Sequence, residues 1–144
     1  MNVAGLEFPD ELHYLVEHQV WARLAGDGTA TVGITALGIA QAGEIYMCRP
    51  KWPGSLVEQG HSIAVVELAK SIVSVKSPVR GTVVSVNEAL AATPELVHRD
   101  PYGEGWLARV QLFDFEADRA VLLHGEPVAA AMAHHAWLSR MDET

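Results

Sequence analysis

Apolar positions along the chain recur in short alternating runs, cut by glycine, proline and acidic clusters, which is the pattern of strands and turns. Val20-Trp21-Ala22-Arg23-Leu24 alternates weakly, Ala25-Gly26-Asp27-Gly28-Thr29 supplies turn chemistry, and residues 29–35 return rich in β-branched side chains; together they predict a hairpin. Residues 36–42 suit one or two helical turns ended by Gly43, and residues 44–49 resume an extended pattern. Pro50, Pro53 and Gly54 force a loop, and residues 55–60 hold a short strand and a turn. Residues 61–69 and 71–77 then form two valine-rich runs around Lys70, closed off by Pro78 and Gly81. Residues 81–87 predict a strand with Val84 and Val86 on one face and Val83 and Ser85 on the other. A helix start follows at 87–90, then a second with Thr93 as N-cap and Pro94 at its first position. Residues 100–105 are a dense turn signal and residues 106–112 alternate as a strand. Beyond them, 114–123 suits a helix ended by Gly125, and a second helix runs from Pro127 to about Arg140 with Val128, Ala131, Met132 and His135 on one stripe.

Seven or so short strands followed by terminal helices predict a mainly β protein, a small sandwich or flattened barrel with helices packed at its end. The lack of helices between strands disfavours a doubly wound parallel sheet. The 144 residues fit one domain, divided into an arm (1–12), a β core (13–112) and C-terminal helices (113–144).

Charge narrows the partners. Ten basic against eighteen acidic residues give a net charge of −8, which repels nucleic acid and anionic membranes. No apolar run is long enough to cross a bilayer, and residues 1–5 lack the features of a signal peptide, so a cytoplasmic protein is expected. Cys48, the single cysteine, sits among strand residues and suits a half-buried position better than a nucleophile. The seven histidines show no ligand spacing, and the adjacent His134 and His135 face different directions on a helix, so neither a catalytic set nor a metal site is expected.

Lys70 is the candidate that remains. It is one of three lysines against seven arginines and stands in Val65-Val66-Glu67-Leu68-Ala69-Lys70-Ser71-Ile72-Val73-Ser74-Val75, at the tip of a predicted hairpin. The local pattern admits two readings: a solvated charge that guards a sheet edge, or an amine lifted out for acylation by another protein.

Longer motifs bear on that choice. Gly26-Asp27-Gly28-Thr29, Val32-Gly33-Ile34-Thr35, Glu67-Leu68-Ala69-Lys70, Ser77-Pro78-Val79-Arg80-Gly81, Val86-Asn87-Glu88-Ala89-Leu90, Pro94-Glu95-Leu96-Val97 and Asp100-Pro101-Tyr102-Gly103-Glu104-Gly105-Trp106-Leu107 resemble the glycine cleavage system H-protein family over nearly the whole chain. The resemblance implies the lipoyl/biotinyl carrier fold, a barrel-sandwich hybrid with the modified lysine at a hairpin tip. It implies lipoic acid in amide linkage to Lys70, recognition of the hairpin by a lipoate ligase or lipoyltransferase through Glu67, and no catalytic activity of the carrier's own. Ala69 and Ser71, where biotinyl carriers usually have methionines, favour lipoyl.

The return run Ser71-Ile72-Val73-Ser74-Val75-Lys76 and the stretch 43–51 depart from common H proteins. They are most similar to H-protein-related lipoate-binding proteins of heterodisulfide-reductase-like sulfur oxidation, so the favoured expectation is a monomeric carrier serving a heterodisulfide-reductase-like complex. The alternative is a glycine cleavage H protein working with the P, T and L proteins. A non-lipoylated scaffold is the alternative from another class.

Overall fold

The computed structural model describes residues 1–143; Thr144, the last residue of the segment expected to be helical, lies outside the described residues. In chain order the elements are β1 (Asn2–Val3), β2 (Leu6–Glu7), β3 (His13–Leu15), β4 (Val20–Leu24), β5 (Thr29–Ile34), α1 (Ala36–Ala42), β6 (Met47–Pro50), β7 (Leu56–Val57), β8 (Ser62–Glu67), β9 (Ile72–Lys76), β10 (Gly81–Val86), α2 (Ala89–Ala92), α3 (Leu96–Arg99), β11 (Ala108–Leu112), α4 (Phe115–Asp118) and α5 (Pro127–Glu143). Strands β3-β4-β5-β11-β10-β7 form a six-stranded sheet and β6-β8-β9 a three-stranded one. The sheets share one core: Ala22, Val32, Val83 and Val110 of the first meet Cys48, Ile63, Val66 and Val75 of the second. The expected mainly β sandwich with C-terminal helices is thus present.

Local chemistry accounts for the early elements. In the β4–β5 turn Gly26 and Gly28 take φ of 83° and 86°, and Asp27 Oδ1 accepts hydrogen bonds from Thr29 N and Oγ1 at 3.0 and 2.6 Å. Thr35 starts α1 by accepting from Gly38 N at 3.0 Å, and Gly43 ends it at φ 75°. Strand β4 is buried on both faces. Val20 and Ala22 enter the shared core, while Trp21 enters a second cluster with Phe8, Leu12, Tyr14, Leu37, Val128 and Met132. This explains why its sequence alternates weakly, and why the Val128–Met132 stripe of α5 has a surface to cover.

Four expectations shift. The 1–12 segment, expected as an arm that joins the body near Leu12, folds back as the β1–β2 hairpin and already buries Phe8 in the second cluster. In β10 the pairing steps from Val83↔Val110 to Ser85↔Arg109, so Val84 is an extra, bulged residue. The bulge reverses the alternation after it: Val84 is exposed, and Val86 packs against the core that holds Val83. Thr93 ends α2 by donating its N–H to Ala89 O, and its own carbonyl, not its hydroxyl, accepts from Leu96 N, so α3 begins two residues after Pro94. The 114–123 helix is cut to α4 and a 3₁₀ turn at Arg119–Val121, because Leu123 leaves to bridge Tyr14.

That bridge brings two distant histidines together. The rings of His13 and His124 stack with centroids 4.2 Å apart and planes at 13°, and Phe115 stands edge-on to His13 at 5.0 Å. His124 Nδ1 donates to Leu12 O at 2.9 Å. His13 is buried, and desolvation, followed by the neighbouring His124 and Arg119, lowers its pKa to about 4.

Two outcomes follow from this packing. A Cβ on Gly33 would lie 2.5 Å from the Trp21 ring, which is fully buried and tied to Ile34 O by its Nε1–H at 3.1 Å. Gly33→Ala should therefore lower stability by about 1–3 kcal/mol, read as a reduced urea midpoint with an unchanged m-value. For His13 the folded pKa lies below the unfolded one near 6.5, so the unfolded chain binds more protons between the two values. The stabilising contribution is complete above pH 6.5 and is lost as pH falls toward 4, with a slope of up to about 1.4 kcal/mol per pH unit. Urea midpoints at pH 7, 5.5 and 4.5 should decline, and His13→Phe should flatten that decline.

Candidate functional site

Strand β8 is the middle strand of its sheet, paired to β6 through Met47↔Glu67 and Cys48↔Val66 and to β9 through Val65↔Ser74, Val66↔Val73 and Glu67↔Ile72. The four residues 68–71 close the hairpin, with Leu68 N–H donating to Ser71 O at 2.8 Å. Lys70 stands in this turn, exposed, and Glu67 is exposed at the last paired position below it. Among the described residues neither side chain has a hydrogen-bond or ion-pair partner.

The hairpin is far more firmly held at its base. Ser77, fully buried, donates its N–H to His61 O at 2.7 Å and its Oγ–H to Val79 O at 2.6 Å. The next turn is locked by Asp118, a buried carboxylate that accepts from Arg80 N at 2.8 Å and Arg80 Nε at 3.0 Å. Gln59 Nε2 adds bonds to Pro78 O and Asp118 O at 2.9 and 2.8 Å. Such charge-assisted bonds in a dry setting are stronger than exposed ones. The base is rigid and the tip is open.

Two depressions border the hairpin, and a third lies beyond residues 43–46, which bond to it. Met47, Arg49, Val65, Glu67 and Ile72 line a shallow groove of about 180 Å³ on the sheet's outer face, where Ile72 is 70% exposed. A groove of about 330 Å³ follows the open edge of β9, between Leu68, Val73 and Val75 on one side and Gln19, Ile34 and His135 on the other. The third, about 740 Å³, lies between α1, residues 43–46 and α3 and includes Tyr46 and His98. Gln19, Tyr46 and His98 carry no sequence signal that points to the hairpin. His135 was legible only as part of the α5 stripe.

The remaining candidates are Cys48, His134 and His135. Cys48 is fully buried on β6, more deeply than the half-buried position expected, and desolvation raises its thiol pKa to about 12, so it is no nucleophile. His134 is exposed and stacks on Trp137, whereas His135 is half-buried, with its pKa lowered by desolvation and by His134. Among the described residues no group of three His, Cys, Asp or Glu could hold a metal ion, and no helix is long and apolar enough to cross a membrane.

Comparison with known proteins bears on the whole chain. Residues 12–135 match the family model of the glycine cleavage H-protein. The glycine cleavage system H protein of Marinobacter nauticus is 43% identical over 129 residues, covering 90% of this chain and 95% of that protein. Glycine cleavage system H protein 2 of Aquifex aeolicus is 42% identical over 122 residues, covering 85% and 76%. The crystal structure of a glycine cleavage system H protein from Mycobacterium marinum superposes with a TM-score of 0.72 at 29% identity, covering 85% of this chain and 97% of that one. The chain belongs to the glycine cleavage H-protein family, whose members carry lipoic acid covalently on a lysine and have no catalytic activity of their own.

Proposed function

We propose that this chain is the lipoyl carrier of a glycine cleavage system and that Lys70 is its attachment residue. One observation carries the reading: Lys70 is an exposed amine, without a partner among the described residues, on the turn of a hairpin whose base is locked and whose leading strand is paired on both edges. The donor chemistry fits the cofactor. An uncharged Nζ can attack an activated acyl carbon, losing a proton as the N–C bond forms and the activating group departs. Amide formation removes the lysine charge and changes the net charge from −8 to −9. When bound, lipoic acid supplies a dithiolane whose disulfide opens and recloses. The chain supplies presentation: an extended side chain on a stiff hairpin, reaching the active sites of other proteins.

Glu67, exposed one paired position below the turn, is in this reading the acid by which a lipoate ligase or lipoyltransferase recognises the hairpin. The partners in transfer are the glycine cleavage P, T and L proteins. In this reading the carrier acts in the cytoplasm as a single-domain monomer with no nucleic-acid or membrane partner.

The sulfur oxidation branch, favoured on the return run 71–76 and the stretch 43–51, is not supported by the relatives described above, which are named for glycine cleavage. The glycine cleavage alternative is the better supported of the two. Sulfur oxidation with a heterodisulfide-reductase-like complex stays as the second reading for one reason. Ile72 and Val73, on the strand that departs from common H proteins, are exposed beside the arm, where a partner would touch them.

Expression with lipoate and a lipoate ligase should add one lipoyl group to the intact mass. Lys70→Arg should abolish the addition although Lys51 and Lys76 remain, and Glu67→Ala should slow it several-fold. Modification that persists in Lys70→Arg would refute the assignment, and wild type that is never modified would favour the scaffold alternative, in which partner binding is indifferent to Lys70→Ala.

The process is tested separately. Lipoylated protein mixed with the P-protein and glycine should support decarboxylation, and Lys70→Arg should not. Inactivity there, together with association with a heterodisulfide-reductase-like complex, would transfer the assignment to the second reading.

A further inference from the structure

The hairpin leans on a strap, residues 43–46, that runs from the end of α1 to the start of β6. Gly43 lets the chain turn out of the helix at φ 75°. Ile45 is buried in the shared core, while Tyr46 is 53% exposed on the rim of the 740 Å³ groove. Two backbone N–H groups of this strap point to opposite neighbours. Tyr46 N–H donates to Glu67 O at 2.9 Å, gripping the last residue of β8 before the turn that holds Lys70. Ile45 N–H donates to His98 Nε2 at 3.0 Å.

His98 is well placed to hold that bond. It lies on α3 next to Val97, which is fully buried in the shared core, so the imidazole projects from an anchored platform. Accepting through Nε2 is open only to the tautomer with its proton on Nδ1. Among the described residues no other acceptor is paired with the Ile45 N–H, and a part-buried donor that loses its protein partner weakens the hold on the segment that carries it.

We propose that His98 is a positioning residue for the arm. Its bond to Ile45 holds the strap, the strap holds the carbonyl of Glu67 through Tyr46, and this line of contacts sets the pose in which the 68–71 turn offers Lys70 to the acylating enzyme. The proposal rests on the carrier reading. Losing the latch loosens the turn, which Leu68 N–H closes on Ser71 O, and spreads it over several poses, so the enzyme meets the competent pose in a smaller fraction of molecules. Apparent affinity falls by that fraction, and the step after binding is unchanged.

The test compares wild type, His98→Phe, which keeps a ring but no acceptor, and His98→Gln, which keeps an acceptor at similar reach. The first readout is steady-state transfer of lipoate by a lipoate ligase, with the full chain as the varied substrate. His98→Phe should raise KM on the order of tenfold with kcat near wild type, and His98→Gln should restore it. The second readout is amide hydrogen exchange on the unmodified protein. In His98→Phe the amides of Ile45, Tyr46 and Leu68 should exchange faster while those of β5 and β11 keep their wild-type protection.

The proposal is overturned if KM and Leu68 exchange are unchanged. It is also overturned if protection falls evenly across β5 and β11, which marks a general loss of stability, or if the Gln variant behaves as Phe does. Wild-type protein that is never modified would instead bring down the carrier reading, a failure visible by mass before any variant is compared.

Discussion

The structure depends on β8 being paired along both edges. A hairpin of two short strands is at best marginal in water, because it has one ladder of hydrogen bonds and little apolar surface to bury. Strand β6 supplies the second ladder, and Ile63, Ala64 and Val66 of β8 turn into the core shared with the six-stranded sheet. Every other element can be understood as holding β6 and that core in place. The Arg80–Asp118 pair fixes the turn below the hairpin, α3 and the 43–46 strap brace its upper end, and α5 covers the face of β3–β4 that points away from the core.

This arrangement separates two demands that conflict in one polypeptide. A presented side chain must escape packing, yet its base must not wander. Here order is concentrated below Glu67 and exposure above it: Ser77, Val79 and Asp118 are buried at the base, whereas Ala69, Lys70, Ser71 and Ile72 are exposed at the tip. The reactive chemistry belongs to the cofactor, so the protein's share is geometry and recognition. That is consistent with a chain whose buried Cys48 and His13 have their pKa values moved away from neutral pH, the thiol upward and the imidazole downward, by desolvation.

What was legible in the sequence was local. Alternation and turn residues gave β4–β5, β8–β9 and the position of Lys70 at a hairpin tip, and Gly43 marked the end of α1, whereas the cap that Thr35 makes at its start was not foreseen. The stripe on α5 was legible because a helix repeats its buried face over several turns. The misses need information from outside the window. Val84 looks like any strand valine until β11 pairs with residues on either side of it and leaves it out. Thr93 has the composition of an N-cap, but it closes α2, and α3 begins only after Glu95 with no side-chain cap. His13 and His124 are more than a hundred positions apart, and only the Tyr14–Leu123 bridge stacks them. The grooves beside the arm are likewise assembled from α1, α3, α5 and the β9 edge, so no spacing along the chain encodes them.

The edge position of β9 bears on how such a carrier diverges. Strand β8 is constrained on both ladders and on its core face, so substitutions there disturb the base on which the arm stands. Strand β9 has one ladder, and its Ile72 and Val73 are exposed, so its sequence can change at small cost in stability while altering the surface a partner meets next to the arm. The stretches where the sequence was expected to depart from common H proteins fall on this strand and on residues 43–51, which hold the strap and β6. Both flank the turn that holds Lys70, the residue proposed to carry the arm. Partner choice can therefore drift at the flanks of a hairpin whose presentation of its lysine is held constant, and the identity of the arm alone cannot disclose which enzymes it visits.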